Sequence, residues 1–181
     1  MTGTGRRAKL KGPYVDASTA VEDGLLDLFA QQGWDYQVVE HPAVFTIEES
    51  LAAVPKLDGI KTKNVFIRDA KGLRHLLVIV PHDRRIDMAE LGRQLPATKL
   101  SMASPERLLR HLGVTPGSVS IFAIVNDREQ AVELIVDETV WNAAKIQGHP
   151  LRNTATVVLE HTALEAFLAH TGHPPRVMRV P

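Results

Sequence analysis

The sequence predicts an α/β fold of the α+β type, with a mixed, largely antiparallel central sheet and helices packed around it. Three observations carry that prediction. Residues 61–80 read as a hairpin at the centre of a sheet. One arm alternates Val65 and Ile67 against Asn64, Phe66 and Arg68, and the other, Leu76-Leu77-Val78-Ile79-Val80, is apolar on both faces and therefore covered on both sides. Helix starts are announced by capping residues, as in Thr46-Ile47-Glu48-Glu49 and Ser104-Pro105-Glu106. Strand-like and helix-like stretches follow no strict βαβ alternation, which disfavours a parallel doubly wound sheet.

In chain order, residues 18–32 predict a first helix, with Val21, Leu25, Leu28 and Phe29 at helical spacing and Gly33 as its stop. Residues 36–40 predict a short strand ending at His41-Pro42, and the capping box at Thr46 predicts a helix over 47–54 closed by Pro55. The hairpin turns through Asp69-Ala70-Lys71-Gly72, with glycine where a positive φ is cheap. Asp87 opens a helix to about Gln94, residues 99–102 are extended, and a helix capped at Ser104 ends at Gly113. After a Pro116-Gly117 turn, strands are expected over 119–125, 132–136 and 156–159, with Asn126-Asp127 as a turn between the first two. Thr162 is expected to cap a last helix that reaches Thr171 before Gly172, and residues 176–180 suggest an edge strand.

With 181 residues, 44% of them hydrophobic and 23% charged, the chain has ordinary globular composition and length for one domain with a sizeable core. The domain is expected over residues 18–181, behind a basic, flexible tail over 1–17. Arg6, Arg7, Lys9 and Lys11 lie in an opening of eleven residues without an acid, which leaves 17 basic against 21 acidic residues in the remainder, a balance of −4. That balance argues against wrapping duplex DNA, whose binding rests on many phosphate contacts, but leaves room for one nucleic-acid end in a local pocket. Cysteine is absent, so disulfides, thiolate nucleophiles and zinc-thiolate sites are excluded. Nothing resembles a signal peptide or an apolar run of about 18 residues, so the expectation is a cytoplasmic protein with no membrane partner.

The familiar catalytic signatures are missing. Gly3-Thr4-Gly5 has no preceding strand, His170 and His173 lack metal-binding spacing, and Gly117-Ser118-Val119-Ser120 lacks the second glycine of a nucleophile elbow. Two polar clusters fit poorly into scaffold. Lys63-Asn64 stands at the mouth of the apolar central strand, and Gly148-His149-Pro150-Leu151-Arg152-Asn153-Thr154-Ala155-Thr156 is a turn of small and hydrogen-bonding residues that leads into a strand. Taken alone, Lys63 reads as a solvated strand end and His149 as a loop histidine. Regular alternation would also point Lys63 and Asn64 to opposite faces, so a bulge or a late strand start is expected if both reach one ligand.

Four motifs in order, Lys61-Thr62-Lys63-Asn64-Val65-Phe66-Ile67-Arg68-Asp69, Leu112-Gly113-Val114-Thr115-Pro116-Gly117-Ser118-Val119, Asn126-Asp127 and Gly148 through Thr156, resemble the YbaK/prolyl-tRNA synthetase insertion-domain superfamily. Within it the chain is most similar to the free-standing PrdX/ProXp-ala branch, from about residue 20 to the C-terminus. The resemblance implies that superfamily's fold and a trans-editing aminoacyl-tRNA deacylase, which hydrolyses the ester of a mischarged tRNA without catalytic metal, cofactor or side-chain nucleophile. Alanyl-tRNA(Pro) is the favoured substrate, and serine or threonine esters, or a silent module that binds aminoacyl-tRNA or a synthetase, are the alternatives. The implied partners are the acceptor end of tRNA and a prolyl-tRNA synthetase.

By the same resemblance Lys63 holds the terminal adenosine and its phosphate with Asn64 beside it, His149 completes the catalytic set, and Gly148, Pro150, Asn153, Thr154, Ala155 and Ser118 bind substrate. Backbone amides of the Gly-His-Pro turn would suit a developing oxyanion, and Ala155 with its threonines would leave a small pocket. The chain departs from the family in having Ile121-Phe122 where a proline is usual, and in Trp141, which is expected near the pocket and could alter its size. Because the chain lacks cysteine and any clustered histidine and carboxylate ligands, deacylation is expected to survive dialysis against EDTA; loss of turnover that zinc restores would contradict this reading.

Overall fold

The fold was obtained as a computed structural model that describes residues 19–97 and 99–181. The basic tail expected over 1–17 lies outside the described residues. In order the elements are α1 (Thr19–Gln32), β1 (Tyr36–Glu40), α2 (Ile47–Ala53), β2 (Ile60–Arg68), β3 (His75–Pro81), α3 (Met88–Gln94), β4 (Ser101–Met102), α4 (Pro105–Leu112), a 3-10 helix (Ile121–Asn126), β5 (Val132–Asp137), α5 (Glu138–Trp141), β6 (Lys145–Gly148), β7 (Ala155–Glu160), α6 (His161–Thr171) and β8 (Arg176–Met178).

The strands form one mixed sheet in the order β1-β7-β6-β2-β3-β5-β8, with β4 also on β2. Four pairings are antiparallel: β1 with β7, β2 with β3, β2 with β4, and β6 with β7. The pairings β2 with β6, β3 with β5, and β5 with β8 are parallel. All seven residues of β3 are buried, as its two-sided apolar pattern requires. On one face Phe66, Leu77 and Ile79 join Phe29, Leu112, Phe122 and Phe167 in the larger core; on the other Ile67, Leu76, Val78 and Val80 pack with Leu91, Leu95 and Val180. Phe29 stands edge-on to Tyr36, Phe122 and Phe167 at 5.5 to 5.7 Å, which ties α1, β1, the 3-10 helix and α6 together.

The caps act as the sequence indicates. Thr46 and Glu49 form a reciprocal capping box, Asp87 accepts from Ala89 N and Glu90 N, and Gly113 ends α4 at φ 65°. Four details differ from expectation. Residues 121–126 coil into a 3-10 helix instead of extending: an apolar run buried on every side suits either form, and Ser120 decides by accepting from Phe122 N at 3.0 Å. Neither α5 nor β6 was expected, since Asp137 caps a single turn and β6 spans only four residues. At α6 the cap position falls on Glu160, without a side-chain cap bond, so Thr162 is inside the helix. Finally, β2 begins at Ile60 and pairs regularly through Lys63↔Val80 and Asn64↔Ile79, with neither bulge nor late start.

Asp137, 1% exposed, ties the far end of the sheet to the segment after β3. Its Oδ1 accepts from Thr139 N at 2.9 Å, and its Oδ2 accepts from Val180 N at 3.0 Å and from Arg84 Nη1 at 3.2 Å. Removing this carboxylate orphans a buried amide and a cation together, so Asp137→Ala is expected to cost about 3 kcal/mol in urea unfolding. Glu133→Ala, which breaks the exposed Arg74–Glu133 pair, should cost less than about 1 kcal/mol.

Candidate active site

The cleft opens where β2 and β6 part. Their parallel pairing consists of Ile60↔Ile146 and Lys61↔Gln147, after which Thr62 Oγ1 donates to Gln147 O at 2.8 Å and the strands separate. Gln147 Nε2 points back to the carbonyls of Leu57, Asp58 and Gly59 at 3.2, 3.2 and 2.9 Å, fastening the approach to β2. Beyond the divergence lies a cleft of about 220 Å³. It is lined by residues 61–64 of β2, by Gln147, Gly148 and His149, by Thr156, by 44–46 and Ser50, and by His82, Gly117 and Val119.

No Asp or Glu lines this cleft among the described residues, while two lysines and two histidines do. His149 Nδ1 lies 2.9 Å from the carbonyl of Ala155; since a carbonyl only accepts, Nδ1 carries the proton and Nε2 presents its lone pair. Burial, with smaller contributions from His41 and Lys61, holds the imidazole pKa below its ordinary value, although the Ala155 bond opposes this, so the ring is neutral at neutral pH. Behind it stands His41, its ring 6.0 Å away, with Nδ1 donating to Pro42 O at 2.8 Å and Nε2 at 2.9 Å from Thr156 Oγ1.

Asn64 shows a similar logic. The hydroxyl proton of Thr62 goes to Gln147 O, so its oxygen accepts from Asn64 Nδ2 at 3.1 Å, which fixes the amide orientation. Asn64 Oδ1 is then a buried acceptor without a partner among the described residues. Lys63 Nζ donates to the carbonyl of Arg84, whose guanidinium meets Asp137.

Of the residues singled out from sequence, Lys63, Asn64, Gly148 and His149 line the cleft, Lys63 and Asn64 from opposite faces of the regular strand whose edge bounds it. Gly148 is tightly packed: a Cβ there would sit 3.0 Å from Phe122 Cε2, so the Ile121-Phe122 departure packs behind Gly148 and not in the cleft lining. The others stand behind the lining. Ala155 orients His149 through its carbonyl, and Asn153 Nδ2 donates to Val44 O at 3.0 Å, holding the 44–46 wall. Thr154 Oγ1 accepts from Arg152, which is paired with Glu40 at 2.7 Å. Pro150 and Ser118 are buried off the cleft.

Trp141 is also away from the lining, edge-on to His161 at 4.8 Å, so it does not set the size of the cleft as the sequence suggested. Sequence reasoning missed Lys61, Gln147, His41 and Phe45. Phe45, 69% exposed, stands over Gly117, which has φ 93° and where a Cβ would sit 3.1 Å from the ring. No local sequence signal links Phe45 to Gly117, since the two are 72 residues apart and only the fold brings them together.

The chain resembles known proteins in both sequence and fold. The chain is 39% identical over 140 residues to the prolyl-tRNA editing protein ProX of Acetoanaerobium sticklandii, covering 77% of this chain and 85% of that one. It is 38% identical over 142 residues to the prolyl-tRNA synthetase associated domain-containing protein 1 of Danio rerio, covering 77% of each. The fold matches the crystal structure of a candidate trans-editing enzyme for prolyl tRNA synthetase with a TM-score of 0.66 at 21% identity, over 92% of this chain and 98% of that one. The aminoacyl-tRNA editing domain matches residues 41–167, and with these relatives the chain belongs to the aminoacyl-tRNA editing domain family.

Proposed function

We propose that this chain is a trans-editing aminoacyl-tRNA deacylase with alanyl-tRNA(Pro) as its favoured substrate. The observation that carries the reading is a small, carboxylate-free cleft lined both by a neutral histidine, tautomer fixed, and by Asn64, whose buried amide oxygen has no partner among the described residues. A mischarged acceptor end brings a cationic α-ammonium, an ester carbonyl, a neighbouring ribose hydroxyl and the terminal phosphate. We assign Asn64 Oδ1 to accept from the ammonium or the ribose hydroxyl, which ends the cost of leaving it unpaired.

His149 Nε2 accepts a proton from the attacking water or from the ribose hydroxyl that activates it. The water oxygen bonds to the acyl carbon, the bond from that carbon to the ribose oxygen breaks, and the ribose oxygen takes the proton back from His149, which returns to its neutral form. Free amino acid and tRNA leave. These steps are assigned to the chain's own groups and the substrate. Lys63 steadies the segment after β3 through the Arg84 carbonyl and brings positive charge to the rim. The amino acid end is bounded by Val44, Val119 and the rings of His149 and Phe45, a wall that penalises larger side chains sterically.

Serine and threonine esters form the second reading, favoured by the hydroxyls of Thr46 and Ser50 at the cleft. A panel of mischarged tRNAs separates the two: alanyl-tRNA(Pro) is expected to be hydrolysed faster than seryl or threonyl esters, and prolyl-tRNA(Pro) spared. Turnover of the prolyl ester at a comparable rate would remove the case for editing. His149→Ala should lower single-turnover deacylation by roughly 10²- to 10⁴-fold with the fold retained.

The pH dependence has a defined sign. Burial depresses the imidazole pKa, so the active neutral form persists above 6.5, and activity should fall only as pH drops below that value. The same group makes the fold more stable above 6.5 than below its depressed pKa. An acidic limb of the rate profile centred above 6.5 would remove His149 from the base role.

A further inference from the structure

Lys61 and Lys63 project from the same face of β2, about 7 Å apart along the strand, and both line the cleft. Their surroundings differ. The Lys63 ammonium is engaged by the Arg84 carbonyl, whereas the Lys61 ammonium makes no hydrogen bond or ion pair among the described residues. Lys61 is half-buried at the last paired position before β2 and β6 diverge, opposite Gln147 and two residues before His149 on the adjoining chain. We infer that Lys61 is the cation that holds the phosphodiester on the 5′ side of the terminal adenosine, an assignment that rests on the deacylase reading of the same cleft.

The chemistry supports that choice of anion. A partly buried ammonium with no counter-charge is held at a cost, and here burial pushes its pKa below the ordinary lysine value. The cleft offers it no carboxylate, so the compensating charge must come from the ligand. An aminoacyl ester carries no carboxylate of its own, and its amino group is a cation that Lys61 repels. The anion within reach is the phosphodiester, which a lysine binds as a point charge. The positive charge of Lys61 also lowers the pKa of His149 slightly, so the two groups lie within electrostatic reach of each other. Phosphate at Lys61 sets the terminal nucleotide in the cleft that His149 and Asn64 also line. Lys63 is left with the task of positioning the 82–86 segment.

The test uses an acceptor minihelix with a natural last linkage and one in which that linkage is an uncharged methylphosphonate. Each is prepared uncharged for equilibrium binding and alanylated for single-turnover deacylation, with wild type, Lys61→Met, Lys61→Arg and Lys63→Met. Wild type is expected to bind the methylphosphonate minihelix roughly 10- to 100-fold more weakly, the size of one charge-assisted contact. Lys61→Met should bind both minihelices equally, Lys61→Arg should regain most of the discrimination, and Lys63→Met should keep it.

Retained discrimination in Lys61→Met, or none in wild type, would overturn the assignment. Binding is read apart from turnover so that the two readings fail differently. Phosphate-dependent binding through Lys61 without hydrolysis would sink the deacylase reading and leave the phosphate contact standing. Hydrolysis with discrimination that survives in Lys61→Met would do the reverse.

Discussion

The structure depends on a forced divergence of two strands. β3 is buried throughout and holds β2 along seven consecutive pairs, so β2 cannot bend toward its other neighbour. β6 must end at Gly148, because His149, Pro150 and the left-handed Leu151 at φ 67° turn the chain back into β7. Pro150 contributes no backbone donor, and β4 joins β2 again only at Ile67 and Arg68. The edge of β2 between these two partners faces no strand, and the cleft occupies that gap in the sheet.

This origin accounts for the unusual chemistry of the cleft. A gap inside a sheet is flanked by strand residues, whose side chains are fixed by pairing more firmly than those of a surface loop. Thr62, Asn64 and Gln147 form a short relay of hydrogen bonds across the divergence, and the relay ends in an amide oxygen without a partner. His149 is oriented by a backbone carbonyl from the start of β7, so its tautomer follows from the hairpin geometry and needs no acidic residue. Preorganisation of this kind lets a site without carboxylates supply one proton acceptor and one hydrogen-bond acceptor in fixed positions.

Much of this was legible in the sequence, for reasons tied to particular residues. β1 and the helix boundaries at Gly33, Thr46, Asp87, Ser104 and Gly113 were readable because caps and breakers act locally. The 3-10 helix over 121–126 was not, since a run of Ile, Phe, Ala, Ile and Val has no period that separates buried strand from buried helix. β6 was hidden for a different reason: four residues with a lysine and a glutamine make a strand only when β2 and β7 pair on both sides. At the site, Lys63, Asn64 and His149 could be singled out as polar residues in unexpected places. Lys61 could not, because what distinguishes it from Lys63 is the Arg84 carbonyl, brought into position by Asp137 from 53 residues away.

The central claim is that the gap between β2 and β6 receives the aminoacylated end of the nucleic acid. The most direct test is hydrogen–deuterium exchange with and without an acceptor minihelix that carries alanine through a non-hydrolysable amide. Protection is expected at residues 61–64 and 147–149 and along 44–46, with the β5–β8 edge unchanged. Protection confined to the β5–β8 edge, or to the β2–β3 turn at the opposite end of the hairpin, would contradict the account.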